Sequence, residues 1–120
     1  MSIQQWSENI VLAKLENDPQ FTDDLNNLLE MIEQGNIVDV ILDFGEVEFL
    51  NSSNIAKLLK LRKLVTINNN RHLKLCSISS HIWGIFLVTG LDKIFSFADE
   101  VSSALTDLQL SNNAEKRKNE

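Results

Sequence analysis

Two serines, Ser52 and Ser53, stand between Asn51 and Asn54 where an extended segment gives way to a helical one. Ser and Asn side chains accept hydrogen bonds from the unpaired amides of a first helical turn, so the run is suited to be a cap. The same geometry suits a second chemistry. A phosphate on a serine here carries about two negative charges and lies against backbone N–H groups at the positive end of the helix dipole. The fold tolerates such a group, and its effect falls on whatever docks over the loop and helix. Spacing alone leaves both roles open.

Other chemistry is sparse. His72 and His81 stand apart, without the spacing of a helical zinc pair or an evident cysteine partner, and are expected to be structural or solvent-facing. Cys76 is the single cysteine, which excludes an internal disulfide and a cysteine-rich zinc cluster. It lies in an apolar alternating segment and is expected to be an inert core thiol. Asp43, Glu46 and Glu48 have the chemistry to hold a cation near a strand end but better suit solvated loop positions. Four glycines, none clustered, exclude the phosphate-loop and dinucleotide fingerprints. No catalytic constellation assembles. No cofactor or metal is expected, and a binding or switching role is favoured over an enzyme.

These residues need elements to position them. Ile10–Glu16 has the pattern of a strand, with Trp6 before it in a short strand or against the core. Asn17-Asp18-Pro19-Gln20 is a turn. Leu25, Leu28, Leu29 and Ile32 recur at helical spacing, with Thr22 expected to cap the start and Gly35 to end the helix. Ile37–Phe44 is β-branched and almost continuously apolar, which predicts a central strand covered on both faces. A long helix should then run from the Asn51–Asn54 caps to Leu64 or Val65. Ile55, Leu58, Leu59, Leu61 and Val65 share one broad side, Lys57, Lys60 and Lys63 lie opposite, and Arg62 interrupts the apolar side and snorkels. After a polar turn at Asn68–Asn70 come a strand at Leu73–Ile78, a helix at about Ser80–Val88 and an extended piece at Ile94–Phe97. A last helix, from about Asp99 to Leu108, turns Val101, Ala104, Leu105 and Leu108 inward. Alternating strands and helices predict an α/β fold, with about four helices packed on a mainly parallel sheet of four or five strands.

The chain's 120 residues, 43% of them hydrophobic and 23% charged, fit one domain. Residues 1–110 are expected to form it, with 111–120 a polar, disordered tail. No apolar run approaches the ~20 residues of a membrane span, and the amino terminus lacks the pattern of a secretory signal, so a cytoplasmic location is expected. The net charge of −6 argues against nucleic acid as a direct partner, yet it conceals a dipole. Residues 1–50 carry −10 and residues 51–75 carry +6, with the sign changing at Asn51.

The stretch Val40-Ile41-Leu42-Asp43-Phe44-Gly45-Glu46-Val47-Glu48-Phe49-Leu50-Asn51-Ser52-Ser53-Asn54-Ile55-Ala56-Lys57-Leu58-Leu59 resembles the strand, acidic turn and Asp-Ser-Ser-Gly helix start of STAS domains. It is most similar to the small stand-alone anti-sigma factor antagonists of bacterial partner switching. Leu73–Cys76, Thr89–Phe95 and Ala104-Leu105 extend the resemblance, which covers roughly residues 5 to 108. It implies a single STAS domain whose phosphoacceptor is Ser52, with Ser53 the lesser candidate. Asn51, Ser52, Ser53, Asn54, Lys57 and Lys60 would form the partner-binding face. The implied partners are an anti-sigma factor that is also an ATP-dependent serine kinase of the histidine-kinase ATPase type, and a metal-dependent serine phosphatase. Other STAS domains work without phosphorylation, in sensory complexes or with membrane transporters. Asn51 and Asn54 replace the family's usual Asp and Gly. The first change is expected to remove a carboxylate beside the phosphoacceptor; the second relies on Asn tolerating positive φ.

Overall fold

The computed structural model describes the backbone of residues 2–118 and the side chains of residues 2–112. Nine main elements follow in the order β1 (Ile3–Gln5), β2 (Ile10–Lys14), α1 (Gln20–Glu33), β3 (Asp39–Asp43), α2 (Ser52–Arg62), β4 (Leu73–Cys76), α3 (Ser80–Thr89), β5 (Ser96–Ala98) and α4 (Val101–Lys118). A π-helical stretch, Lys63–Asn68, continues α2, and a 3-10 turn, Leu91–Lys93, follows α3. The strands form one sheet in chain order. β1 runs antiparallel to β2 and the later neighbours are parallel, so the chain forms the expected α/β fold.

Successive strand side chains point to opposite faces, and both faces are used. Val11 and Ala13 of β2, Val40 and Leu42 of β3, and Leu73 and Leu75 of β4 join the core shared with α1, α2 and α3. Ile10, Ile41 and Cys76 pack with Ala104 and Leu108 of α4. β3 is thus covered on both sides, as its apolar run predicts. Just past it, fully buried Phe44 meets Phe21 of α1 and Phe86 of α3 edge-on, with ring centroids 6.0 and 6.3 Å apart. Such ring pairs contribute about 0.5–1.5 kcal/mol beyond burial and here anchor the start of the connection to α2.

Several local features differ from the sequence expectation. Ile37 is exposed, and β3 begins only where the Asp39 N–H donates to the Asn9 carbonyl at 2.7 Å. Trp6 follows β1 and stays outside the core. α1 starts ahead of Thr22, whose N–H and hydroxyl both donate to the Asp18 carboxylate, at 3.0 and 2.6 Å; Thr22 is a donor, not the cap. α2 gives way to the π-helical stretch after Arg62, where the Asn69 N–H reaches back five residues to the Leu64 carbonyl at 3.1 Å and the Thr66 hydroxyl donates to the Arg62 carbonyl at 2.7 Å. Arg62 itself lies along the surface and donates from Nε to the Ile94 carbonyl at 3.2 Å. Residues 111–118, expected to be disordered, continue α4 past Leu108, in keeping with their helix-favouring Ala, Glu, Lys and Arg content. Asn119 and Glu120 lie outside the described residues.

Candidate functional site

β2 and β3 are parallel neighbours with Lys14 opposite Asp43, so the segments leaving their C-terminal ends emerge side by side. One is the turn holding Asn17 and Asp18. The other leads to the Asn51–Asn54 run. Buried Val47 pins this connection from beneath, and Asn17 fixes it from the side, its Oδ1 accepting the Glu48 and Phe49 N–H groups at 2.8 and 3.2 Å. Asp43 serves the same loop, accepting the Gly45 N–H at 2.9 Å, while Glu46 and Glu48 are exposed. Phe49 is left on the outer surface, 66% exposed.

Asn51 takes an extended conformation and caps α2. Its Oδ1 accepts the Asn54 N–H at 2.8 Å, and the Asn54 Oδ1 accepts the Asn51 N–H at 3.0 Å. This is a capping box closed by two asparagines, with Asn54 where Glu or Gln usually stands. Asn54 lies within the first helical turn and is only 3% exposed. Among the described residues other than glycine, positive φ occurs at Asn70 and Ser77 and not here. The expected dependence on positive φ is therefore replaced by a reciprocal hydrogen bond.

The carboxylate expected to be lost at position 51 is supplied from elsewhere. Asp18 Oδ2 accepts from Asn51 Nδ2 at 3.1 Å and from Asn54 Nδ2 at 2.9 Å, while its Oδ1 holds Thr22. Hydrogen bonds from Thr22 and then Asn54 hold the Asp18 carboxyl below its ordinary range, against a lesser opposing effect of burial. A carboxylate with a depressed folded pKa stabilises the fold fully above its unfolded pKa, and that contribution is lost as pH falls through the lower folded value. Urea denaturation across pH should therefore show Asp18→Asn flattening the fall in stability below about pH 4, with the slope between roughly pH 5 and 8 unchanged. An acid limb as steep as wild type would remove Asp18 from this role.

Ser52 and Ser53 are the first two residues of α2, and both are exposed. The capping box occupies the amides of Asn51 and Asn54, and the next amide, Ile55, donates to the Asn51 carbonyl at 3.1 Å. The amides and hydroxyls of Ser52 and Ser53 make no hydrogen bond among the described residues. Two donors at the positive end of a helix thus lie open beside two exposed hydroxyls. Helical spacing puts Ser53, Lys57 and Lys60 on one flank. That flank leans toward α1: Lys57 Nζ donates to Asn26 Oδ1 at 2.9 Å, and Lys60 Nζ lies 3.5 Å from Glu33 Oε1 in an exposed pair worth little. Of the six residues expected at the docking face, Asn51, Ser52, Ser53, Lys57 and Lys60 lie along the start and outer flank of α2, whereas Asn54, buried, is turned into the cap and is not part of the exposed face. Asn17, Asp18 and Phe49 join them without having been expected.

The remaining chemical candidates lie apart. His72 precedes β4 and His81 is exposed on α3. Cys76 is fully buried, and burial, with the Asp43 charge second, pushes its thiol up to about 11. Among the described residues no three His, Cys, Asp or Glu side chains are grouped to hold a metal, and no helix is long and apolar enough to cross a membrane.

Residues 15–104, three quarters of the chain, match the STAS domain family. The fold is similar to that of an anti-sigma-factor antagonist (STAS) domain protein from Planctomyces limnophilus, at 18% identity and a TM-score of 0.75, covering 89% of this chain and 97% of that one. It is also similar to the Bacillus cell fate determinant SpoIIAA in its phosphorylated form, at 17% identity and a TM-score of 0.68, covering 88% and 96%. A sulfate transporter family protein from Wolinella succinogenes matches at 18% identity and a TM-score of 0.67, covering 85% and 84%. At these identities the likeness is one of fold, and the family match carries membership: with its five-stranded sheet and its capped serine pair at the start of α2, this chain belongs to the STAS domain family.

Proposed function

We infer that this chain is a protein-interaction switch, an anti-sigma factor antagonist of a bacterial partner-switching pathway, rather than an enzyme. It binds an anti-sigma factor serine kinase of the histidine-kinase ATPase type while Ser52 is unmodified, and is released once Ser52 carries phosphate. A serine phosphatase restores binding. The observation that carries this reading is the pair of open amides at Ser52 and Ser53 on a helix start held rigid by Asn51, Asn54 and Asp18. A phosphate there meets donors without disturbing the cap, so the new charge acts on the docked partner and not on the fold. Incubation with the kinase and Mg-ATP should add the mass of one phosphate to wild type and none to Ser52→Ala. Uptake at the same rate by that variant would remove Ser52 from the proposal.

Phe49 extends the docking face. Its ring is exposed on a loop whose backbone is already tethered by Asn17, so little ordering entropy opposes its burial under a partner. Aromatic anchors of this kind commonly carry about 1–2 kcal/mol or more of a protein interface. Phe49→Ala should weaken kinase binding by about tenfold, read by calorimetry, with an unchanged melting temperature. Unchanged affinity would place the interface elsewhere.

A second reading has its own support in the fold likeness to a sulfate transporter family protein: an unphosphorylated STAS scaffold in a transporter or sensory complex. Co-purification from the native cell separates the two, since one predicts an ATPase partner and the other a transporter subunit.

A further inference from the structure

A second site lies at the opposite end of α2, about 16 Å along the helix from Ser52. Where the α-helix passes into its π-helical continuation, Arg62 and Thr66 form one wall of a cleft of about 240 Å³. Asn70, Arg71, His72, Lys74 and Ser96 complete its polar lining, and no carboxylate contributes to that lining among the described residues. Three fixed cations converging on one cleft are notable in a chain of net charge −6.

The cations differ in how far they are already committed. Arg71 is held by fully buried Asp39, with Nε 3.1 Å from Oδ1 and Nη2 3.1 Å from Oδ2. Asp39 also accepts the His72 N–H at 2.9 Å and Asn112 Nδ2 at 3.3 Å, and its ion pair is with Arg71, not with Arg62 or Lys74. Arg62 is fixed through Nε on the Ile94 carbonyl at 3.2 Å, which leaves both terminal guanidinium nitrogens unengaged among the described residues. Lys74 donates to Ser96 Oγ at 2.7 Å, with Asp107 at 3.8 Å and half exposed. Accepting that bond leaves the Ser96 hydroxyl proton free to donate. A cation complementing the C-terminal end of α2 accounts for Arg62 but not for Arg71, in the connection before β4, or for Lys74 of β4. π-Helical turns are uncommon and occur frequently at functional sites.

We propose that this cleft binds a small anionic ligand through a phosphate or comparable dianionic oxyanion group. Planar guanidinium donors, an ammonium and a hydroxyl are the chemistry that recognises such a group. The volume is below the ~300–1,000 Å³ of drug-sized pockets, so the ligand is a phosphate or a compact phosphorylated metabolite. This site stands independently of the Ser52 reading.

The test is a titration of the full chain with inorganic phosphate at constant ionic strength, followed by two-dimensional ¹H–¹⁵N NMR. Saturable shifts should centre on the amides of Arg71, Lys74 and Ser96. Arg62→Gln and Lys74→Gln should each weaken binding tenfold or more while keeping a folded, dispersed spectrum, and Lys14→Gln, at the end of β2 and outside the cleft lining, should not. Glycerol 3-phosphate binding more tightly than inorganic phosphate would assign the cleft to a phosphorylated metabolite, and the reverse to the free ion. The proposal is overturned by non-saturating shifts, by equal shifts with chloride, or by wild-type affinity in Arg62→Gln.

Discussion

Asn54→Ala should lower the stability of the domain by about 2–3 kcal/mol. Losing a cap costs about 1 kcal/mol. The substitution also strips donors and an acceptor from the Asp18 and Asn51 groups at a position 3% exposed, where an unsatisfied polar group costs about 1–3 kcal/mol. In a chain of this length the melting temperature, followed by circular dichroism, should fall by about 10 °C. Ser53→Ala, one residue earlier on the exposed surface, should change stability by less than about 0.5 kcal/mol. A similarly small effect at Asn54 would mean that the reciprocal cap contributes nothing.

The second large effect is on binding. Ser52→Asp puts a carboxylate where the helix dipole stabilises it by about 0.3–1 kcal/mol, so the fold should be as stable as wild type or slightly more. The kinase partner would instead have to bury or repel an unpaired charge. Its affinity should drop tenfold or more, with each factor of ten equal to about 1.4 kcal/mol. Ser53→Asp, on the flank that carries Lys57 and Lys60, should have the smaller effect. Equal affinity for wild type and Ser52→Asp would count against the switch.

The order of elements was legible in the sequence because the strongest patterns were physical ones. The almost continuously apolar segment at 37–44 can be buried on both faces only in a covered strand, and the leucine spacing of α1 fits a helix. The site was legible in part. Asn51–Asn54 announced a helix start by composition, and the change from acidic to basic at Asn51 marked the same place.

What the sequence hid were side-chain bonds between segments distant along the chain. Asn17 and Asp18 had the composition of an ordinary turn, and nothing local says that Asp18 reaches Asn51 and Asn54, more than thirty residues on. A signal was nevertheless available. If two strands are parallel neighbours, their C-terminal loops meet, and an Asn-Asp pair in one is placed to satisfy amides in the other. The π-helical stretch was hidden for a different reason: it is a shift of the backbone hydrogen bonds from four residues back to five, which the apolar periodicity of one short segment does not register. Phe49 had the character of an ordinary loop residue until Asn17 and Val47 were seen to hold its backbone in place.

The central claim is that one phosphate on Ser52 decides whether a partner stays bound. The direct measurement is the dissociation constant of the kinase for the unmodified chain and for the chain carrying a single phosphate. The position of that phosphate is fixed by fragmenting the tryptic peptide Leu15–Lys57, whose hydroxyl residues are Thr22, Ser52 and Ser53. The account predicts phosphate on Ser52 and an affinity at least about tenfold weaker than that of the unmodified chain. Phosphate on Ser52 with affinity unchanged would contradict it.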